Sequence, residues 1–201
     1  MNMQPRIPSV SVTYEKTGNS KKSNELGMRE MQERAYQKRG EQYLLIKSPP
    51  ASGKSRALMF LALDKTANQG IKQAIIVVPE KSIGKSFDSI ELSNYGFWAD
   101  WDVKPEWNLC NSPGKDGGKV KSVKAFLESD DKNIVCTHAT FRFAVKQLGV
   151  EAFDHRLIAV DEFHHVSANP NNILGKQLSE FIERDKIHII AMTGSYFRGD
   201  T

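Results

Sequence analysis

Five short, unbroken apolar runs constrain the fold most. They are Tyr43-Leu44-Leu45-Ile46, Ala74-Ile75-Ile76-Val77-Val78, Ile134-Val135-Cys136-Thr137, Leu157-Ile158-Ala159-Val160 and Ile187 to Met192. Each is short for a helix and free of polar/apolar alternation. A strand buried on both faces reads this way. Between the runs lie stretches with helical character: 55–68, with Leu58, Leu61 and Ala62, then Ser82 to Leu92, Val120 to Ser129, Phe141 to Leu148 and Ile173 to Glu183. Another helix is expected over Gly27 to Arg39, closed by Gly40. Strand and helix thus alternate, which predicts an α/β fold built on a parallel sheet with helices on both faces. Ligands of such sheets bind at the carboxyl ends of the strands. Three polar clusters follow apolar runs at those ends: Ser48 to Ser55, Asp161 to His164 and Thr193 to Ser195.

Residues 1–25 read as an N-terminal extension. Val10, Val12 and Tyr14 alternate there as in one short strand, and Gly18 to Asn24 reads as a linker. The stretch 93–119 is the least regular and holds Trp98, Trp101 and Trp107. Aromatic residues at that density, Phe97 included, indicate a packed insertion more than a base-stacking surface. Lys115, Lys119, Lys121 and Lys124 read as a solvated face. No stretch approaches the roughly 18–20 apolar residues of a membrane span, and Met1 to Val10 lacks the apolar segment of a secretory signal. Cys110 and Cys136 are too few for a disulfide framework or a four-cysteine zinc site. The expectation is an intracellular, cytoplasmic protein with no membrane partner and no structural zinc. Twenty-eight Lys and Arg against 24 Asp and Glu leave a net charge of +4. That balance permits binding to a polyanion without demanding it.

Strand, then Ser48-Pro49-Pro50-Ala51-Ser52-Gly53-Lys54-Ser55, then helix is the context of a phosphate-binding loop. Small residues let backbone N–H groups approach an anion. A lysine reaches the β and γ phosphates, and a hydroxyl can ligate Mg2+. The start of the following helix adds the positive end of its dipole. Ser48 stands where such loops usually begin with glycine. Further along, Leu157 to Val160 delivers Asp161 and Glu162 to a strand end. Adjacent carboxylates there suit Mg2+ binding and the orientation and deprotonation of an attacking water. The neighbouring His164-His165 pair lacks metal-ligand spacing.

Together these residues resemble the first RecA-like domain of a superfamily 2 helicase or translocase of the DExH type. Asp161-Glu162-Phe163-His164 is similar to motif II. Ser48 to Ser55 is similar to motif I, departing from its usual form at Ser48 and Ala51. Arg29-Glu30-Met31-Gln32 resembles the upstream Arg-x-x-Gln motif. Val77 to Ser82 resembles motif Ia, Val135 to Thr140 the segment around motif Ib, and Met192 to Arg198 motif III, with Gly194 and Tyr196 as departures. The resemblance covers roughly residues 26–200, so residues 26–201 are expected to form a helicase-type ATP-binding domain.

The resemblance implies ATP and Mg2+ as cofactors, with Arg29, Gln32, Pro50, Ala51, Ser52, Gly53, Lys54, Ser55 and Arg56 around the nucleotide. It implies Lys54 on the β and γ phosphates, Ser55 and Asp161 on Mg2+, and Glu162 on the catalytic water. His164, Thr193, Gly194, Ser195 and Arg198 would couple the γ-phosphate to movement. Pro79, Glu80, Lys81, Ser82, Thr137, His138 and Thr140 would lie along a DNA or RNA backbone. Thr201 falls just past motif III, so the resemblance further implies a piece of a longer protein, without its second RecA-like domain. That domain supplies an arginine finger worth about 10³–10⁵ in rate. Weak ATP binding, poor hydrolysis and no duplex unwinding are therefore expected of the chain alone. Two other readings stay open: a P-loop ATPase of another class, such as a packaging or protein-moving motor, and a non-catalytic helicase-like scaffold. Intact Lys54, Asp161 and Glu162 speak against the scaffold.

Overall fold

Six parallel strands form one sheet in a computed structural model that describes residues 9–11, 24–49, 52–114, 116–163 and 172–194. They are β1 (Ser9–Ser11), β2 (Tyr43–Ser48), β3 (Ala74–Val78), β4 (Asn133–Thr137), β5 (Leu157–Val160) and β6 (His188–Gly194). Their spatial order is β1-β2-β6-β5-β3-β4, with every neighbouring pair parallel. The strands are solid apolar runs because successive side chains enter different cores. Ile76, Val78, Ile46 and Met192 pack on one face, against Met31 of α1 (Glu30–Gln37) and Leu58 and Leu61 of α2 (Lys54–Asn68). Ile75, Val77, Cys136 and Val160 pack on the other. Their partners include Val123 and Phe126 of α4 (Val120–Glu128), Phe141 of α5 (His138–Leu148) and Phe181 of α6 (Ile173–Arg184). The expected α/β architecture is therefore present.

Helix α1 is shorter than its sequence suggests. The Asn24 carboxamide accepts hydrogen bonds from the backbone N–H groups of Leu26 and Met28, at 3.0 and 2.8 Å. This holds the preceding chain in a loop, and the helix begins only at Glu30.

The continuous helix expected over Ser82 to Leu92 does not form. Instead α3 covers only Lys81–Gly84, followed by 3₁₀ turns at Lys85–Phe87 and Leu92–Tyr95. Tertiary packing overrides the local pattern here. Phe87, Leu92 and Trp101 are all buried in the core on the α2 side. The Trp101 indole donates to the Phe87 carbonyl at 2.8 Å, and Ile90 forms an antiparallel bridge with Trp101. The irregular stretch is thus a packed insertion, in agreement with its aromatic density, although Trp98 remains 46 % exposed. The lysine cluster needs a correction. Lys121 and Lys124 are exposed, but Lys119 is buried and its ammonium donates to the Leu109 carbonyl at 2.9 Å. Its aliphatic stem lets it tie the insertion to the start of α4. Lys115 lies outside the described residues.

No helix among the described residues is long and apolar enough to cross a membrane.

Candidate functional site

The strand order places the motifs side by side. Strand β6 runs between β2 and β5, pairing Lys47 with Thr193 and Ser48 with Gly194 on one side and Val160 with Ala191 on the other. The residues leaving β2, β6 and β5 therefore meet at one edge of the sheet. Pairing of Val78 with Thr137 brings the ends of β3 and β4 together next to them. Pro50, Ala51, His164, Ser195 and Arg198 lie outside the described residues.

Ser52 Oγ donates to the Pro49 carbonyl at 2.7 Å, bracing the loop across its tip. Gly53 is the N-cap of α2 with φ of 85°, a left-handed conformation that glycine adopts without strain. Glycine at the N-cap offers no capping side chain, so N–H groups of the first turn have no intrahelical acceptor and suit an anion. Lys54, Ser55 and Arg56 form that first turn and are only half-buried. Gln32 is 2 % exposed. Its Oε1 accepts the Arg29 N–H at 2.8 Å, and its Nε2 donates to the Gly53 carbonyl at 2.9 Å. The carboxamide thereby ties the start of α1 to the loop.

Across the cleft, Lys54 Nζ meets Glu162 Oε1 at 2.8 Å. Glu162 has a φ of 56°. This left-handed conformation costs a non-glycine residue about 1–2 kcal/mol. Two bonds hold it: the Glu162 N–H donates to Asp161 Oδ1 at 2.9 Å, and the Phe163 N–H to the Met192 carbonyl, also at 2.9 Å. Asp161 is buried, and that burial pushes its carboxyl up to about 6, with the Glu162 charge adding to the rise. Lys54 and the Glu162 N–H oppose the rise. Asp161 is therefore ionised at neutral pH only against a penalty, which a cation beside it would relieve.

A folded-state pKa above the free value means the folded chain holds its proton longer. The group's contribution to stability is complete below about pH 3.8 and is lost as pH rises through about 6. Asp161→Asn should therefore melt higher than the wild type at pH 7.5, by on the order of 2 kcal/mol in stability. The gain should vanish near pH 4. Thermal melts at both pH values check this, and an equal gain at both would refute it.

These groups line a cleft of about 790 Å³, bounded by Gly27, Arg29, Gln32, Ser52 to Arg56, Ile83, Ser86, Ile90, Tyr95, Asp161 and Glu162. The residues expected around a nucleotide are thus gathered in one place wherever they are described. Ile83, Ser86, Ile90 and Tyr95 carry no motif and were not legible as site residues. A carboxylate and a hydroxyl, Asp161 and Ser55, share the cleft with the cations Arg29, Lys54 and Arg56. That donor set fits Mg2+ with a polyphosphate.

The segments expected along a nucleic acid leave β3 and β4. Glu80, Lys81 and Ser82 are exposed and Pro79 is half-buried. Thr137 and Thr140 are buried, with Thr137 Oγ1 accepting the Thr140 N–H at 3.2 Å as the cap of α5. Their placement gives the hydroxyls a structural role in starting the helix. His138 is half-buried, and its Nε2 lies 2.9 Å from the Asp161 carbonyl. Thr193 and Gly194 lie half-buried at the end of β6.

A parallel α/β sheet with a phosphate loop at one strand end and paired carboxylates at another defines a P-loop ATPase domain. More narrowly, the chain belongs to the family described as "Type III restriction enzyme, res subunit", whose model matches residues 25–198. It is thus a helicase-like ATPase domain of superfamily 2. The chain is similar to "Putative ATP-dependent helicase YeeB" of Bacillus subtilis (strain 168), at 56 % identity over 192 residues. The match covers 96 % of this chain but 32 % of that relative, so the chain spans about a third of the relative's length.

Proposed function

We propose that residues 26–201 are the ATP-binding half of a nucleic-acid-dependent motor, with residues 1–25 as an extension. The observation that carries this reading is the Lys54–Glu162 ion pair, 2.8 Å long, at the glycine-capped start of α2, with Asp161 in the same cleft. Without nucleotide, Lys54 neutralises the carboxylate expected to act as base. Bound triphosphate competes for Lys54 and releases Glu162 to orient a water and accept its proton. Ser55 and Asp161 would hold Mg2+, which supplies charge neutralisation on the β and γ phosphates. Arg29 and Arg56 add positive charge to the cleft.

The exposed Glu80, Lys81 and Ser82 together with His138 form the proposed nucleic-acid contact. Such contact would be to the backbone, independent of sequence and sensitive to salt. His138 touches the Asp161 carbonyl, so a shift of this segment reaches the carboxylate pair through one hydrogen bond. Thr193, Gly194, Ser195 and Arg198 are the proposed link to a second RecA-like domain, which would supply the remaining half of the ATP cleft. Alone, the chain should hydrolyse ATP poorly.

Phosphate release by the intact protein, with and without DNA or RNA, tests the motor reading. Stimulation that falls with added salt is expected. ATP hydrolysis indifferent to both nucleic acids would overturn it.

A further inference from the structure

Tyr95 lines the cleft beside the phosphate loop and is 56 % exposed. Single exposed aromatics are ordinary on protein surfaces, but this one sits on an unusually constrained mount. Gly27 and Gly96 have φ of 75° and 108°. A Cβ on Gly27 would lie 2.4 Å from the Tyr95 carbonyl oxygen, and one on Gly96 would lie 2.2 Å from that of Glu25. Backbone meets backbone there at a distance that only glycine permits. The next two residues anchor the same segment. Phe97 packs on Phe60 with centroids 4.6 Å apart, and the Trp98 indole donates to the Tyr36 hydroxyl at 3.1 Å. The backbone that carries the ring is therefore held firmly, while the ring is left largely uncovered.

A cation lies over the ring. The Arg56 guanidinium lies 4.7 Å from the Tyr95 centroid, a cation–π distance. Arg56 follows Ser55 directly, so this flat pair begins where the phosphate cradle ends. Gln32, in the same cleft, already has both ends of its carboxamide engaged with Arg29 and Gly53.

We propose that Tyr95, with Arg56 packed on it, is the platform on which the base of the bound nucleotide stacks. This rests on the ATP-binding reading and adds a base contact from the insertion, outside every recognised motif. An aromatic face and a guanidinium plane both stack on nucleobases, and each aromatic stack contributes about 1–3 kcal/mol by alanine substitution. The phosphates are held separately, by Lys54 and the start of α2.

Calorimetric titration of the 201-residue chain with ATP, ADP and inorganic tripolyphosphate, each with Mg2+, separates the two contacts. Tyr95→Ala should weaken ATP and ADP by about fivefold or more and leave tripolyphosphate within about twofold. Tyr95→Phe should bind like the wild type. Lys54→Ala should weaken all three ligands. If Tyr95→Ala unfolds, Tyr95→Leu keeps the bulk without the π face and should show the same selective loss. Wild-type ATP affinity in the Tyr95 variants, alongside its loss in Lys54→Ala, overturns the platform alone. So does an equal loss of ATP and tripolyphosphate. Wild-type chain that binds neither ligand would overturn the ATP reading itself, and the platform with it.

Discussion

Glu162→Gln should lower kcat for ATP hydrolysis in the intact protein by about 10²–10⁴, the usual worth of a positioned general base. KM for ATP should not rise. The amide keeps the shape of the carboxylate and can still orient a water, but it cannot accept the proton. It also ends the ion pair with Lys54, so the ammonium meets the triphosphate without first leaving a carboxylate. Nucleotide affinity should therefore be equal or tighter while turnover collapses. A single-turnover assay beside a binding isotherm separates the two effects. Turnover within about threefold of the wild type would remove Glu162 from the chemistry.

Lys54→Ala should do the opposite, failing at binding. The Lys54 side chain is 16 % exposed and the Glu162 side chain 19 %, so water reaches both and the fold should survive. What disappears is the ammonium expected on the phosphates. Hydrogen bonds to charged groups contribute about 1.5–3 kcal/mol, so ATP affinity should drop on the order of ten- to a hundredfold. Asp161 would also lose the positive charge that now opposes its raised pKa, moving its carboxyl further up. Calorimetry at pH 7.5 gives the binding loss directly, and affinity within about twofold of the wild type would contradict the assigned role of Lys54.

Much of this architecture can be read from residue order. Runs such as Ala74 to Val78 announce buried strands because both faces of the sheet are covered, and their polar successors mark the ligand edge. Lateral order is different. Nothing local in His188 to Gly194 says that it inserts between β2 and β5, because pairing partners are chosen by the assembled sheet. The helix expected over Ser82 to Leu92 fails for a related reason: burying Phe87, Leu92 and Trp101 in one core outweighs propensity. Lys119 reads as solvated by type but reaches a buried carbonyl through its long stem. Thr137 and Thr140 show how one residue type serves two purposes, since a hydroxyl beside a strand end can cap a helix as readily as meet a phosphate. The cleft divides similarly. Lys54, Asp161 and Glu162 carry motif context, whereas Tyr95 is placed by its contacts with Gly27 and Arg56 and by the close approach of Gly96 to Glu25, all distant in sequence.

The central place of β6 has a consequence for how the chain assembles. Among the described strands, the one latest in the chain joins two otherwise separate ribbons, β1-β2 and β5-β3-β4. A growing polypeptide cannot close the sheet before residue 194 is available, and closure joins partners more than a hundred positions apart. Such long-range pairing slows folding. Until it happens, the phosphate loop and the acidic pair reside on different halves, so nucleotide capture reports that β6 has docked.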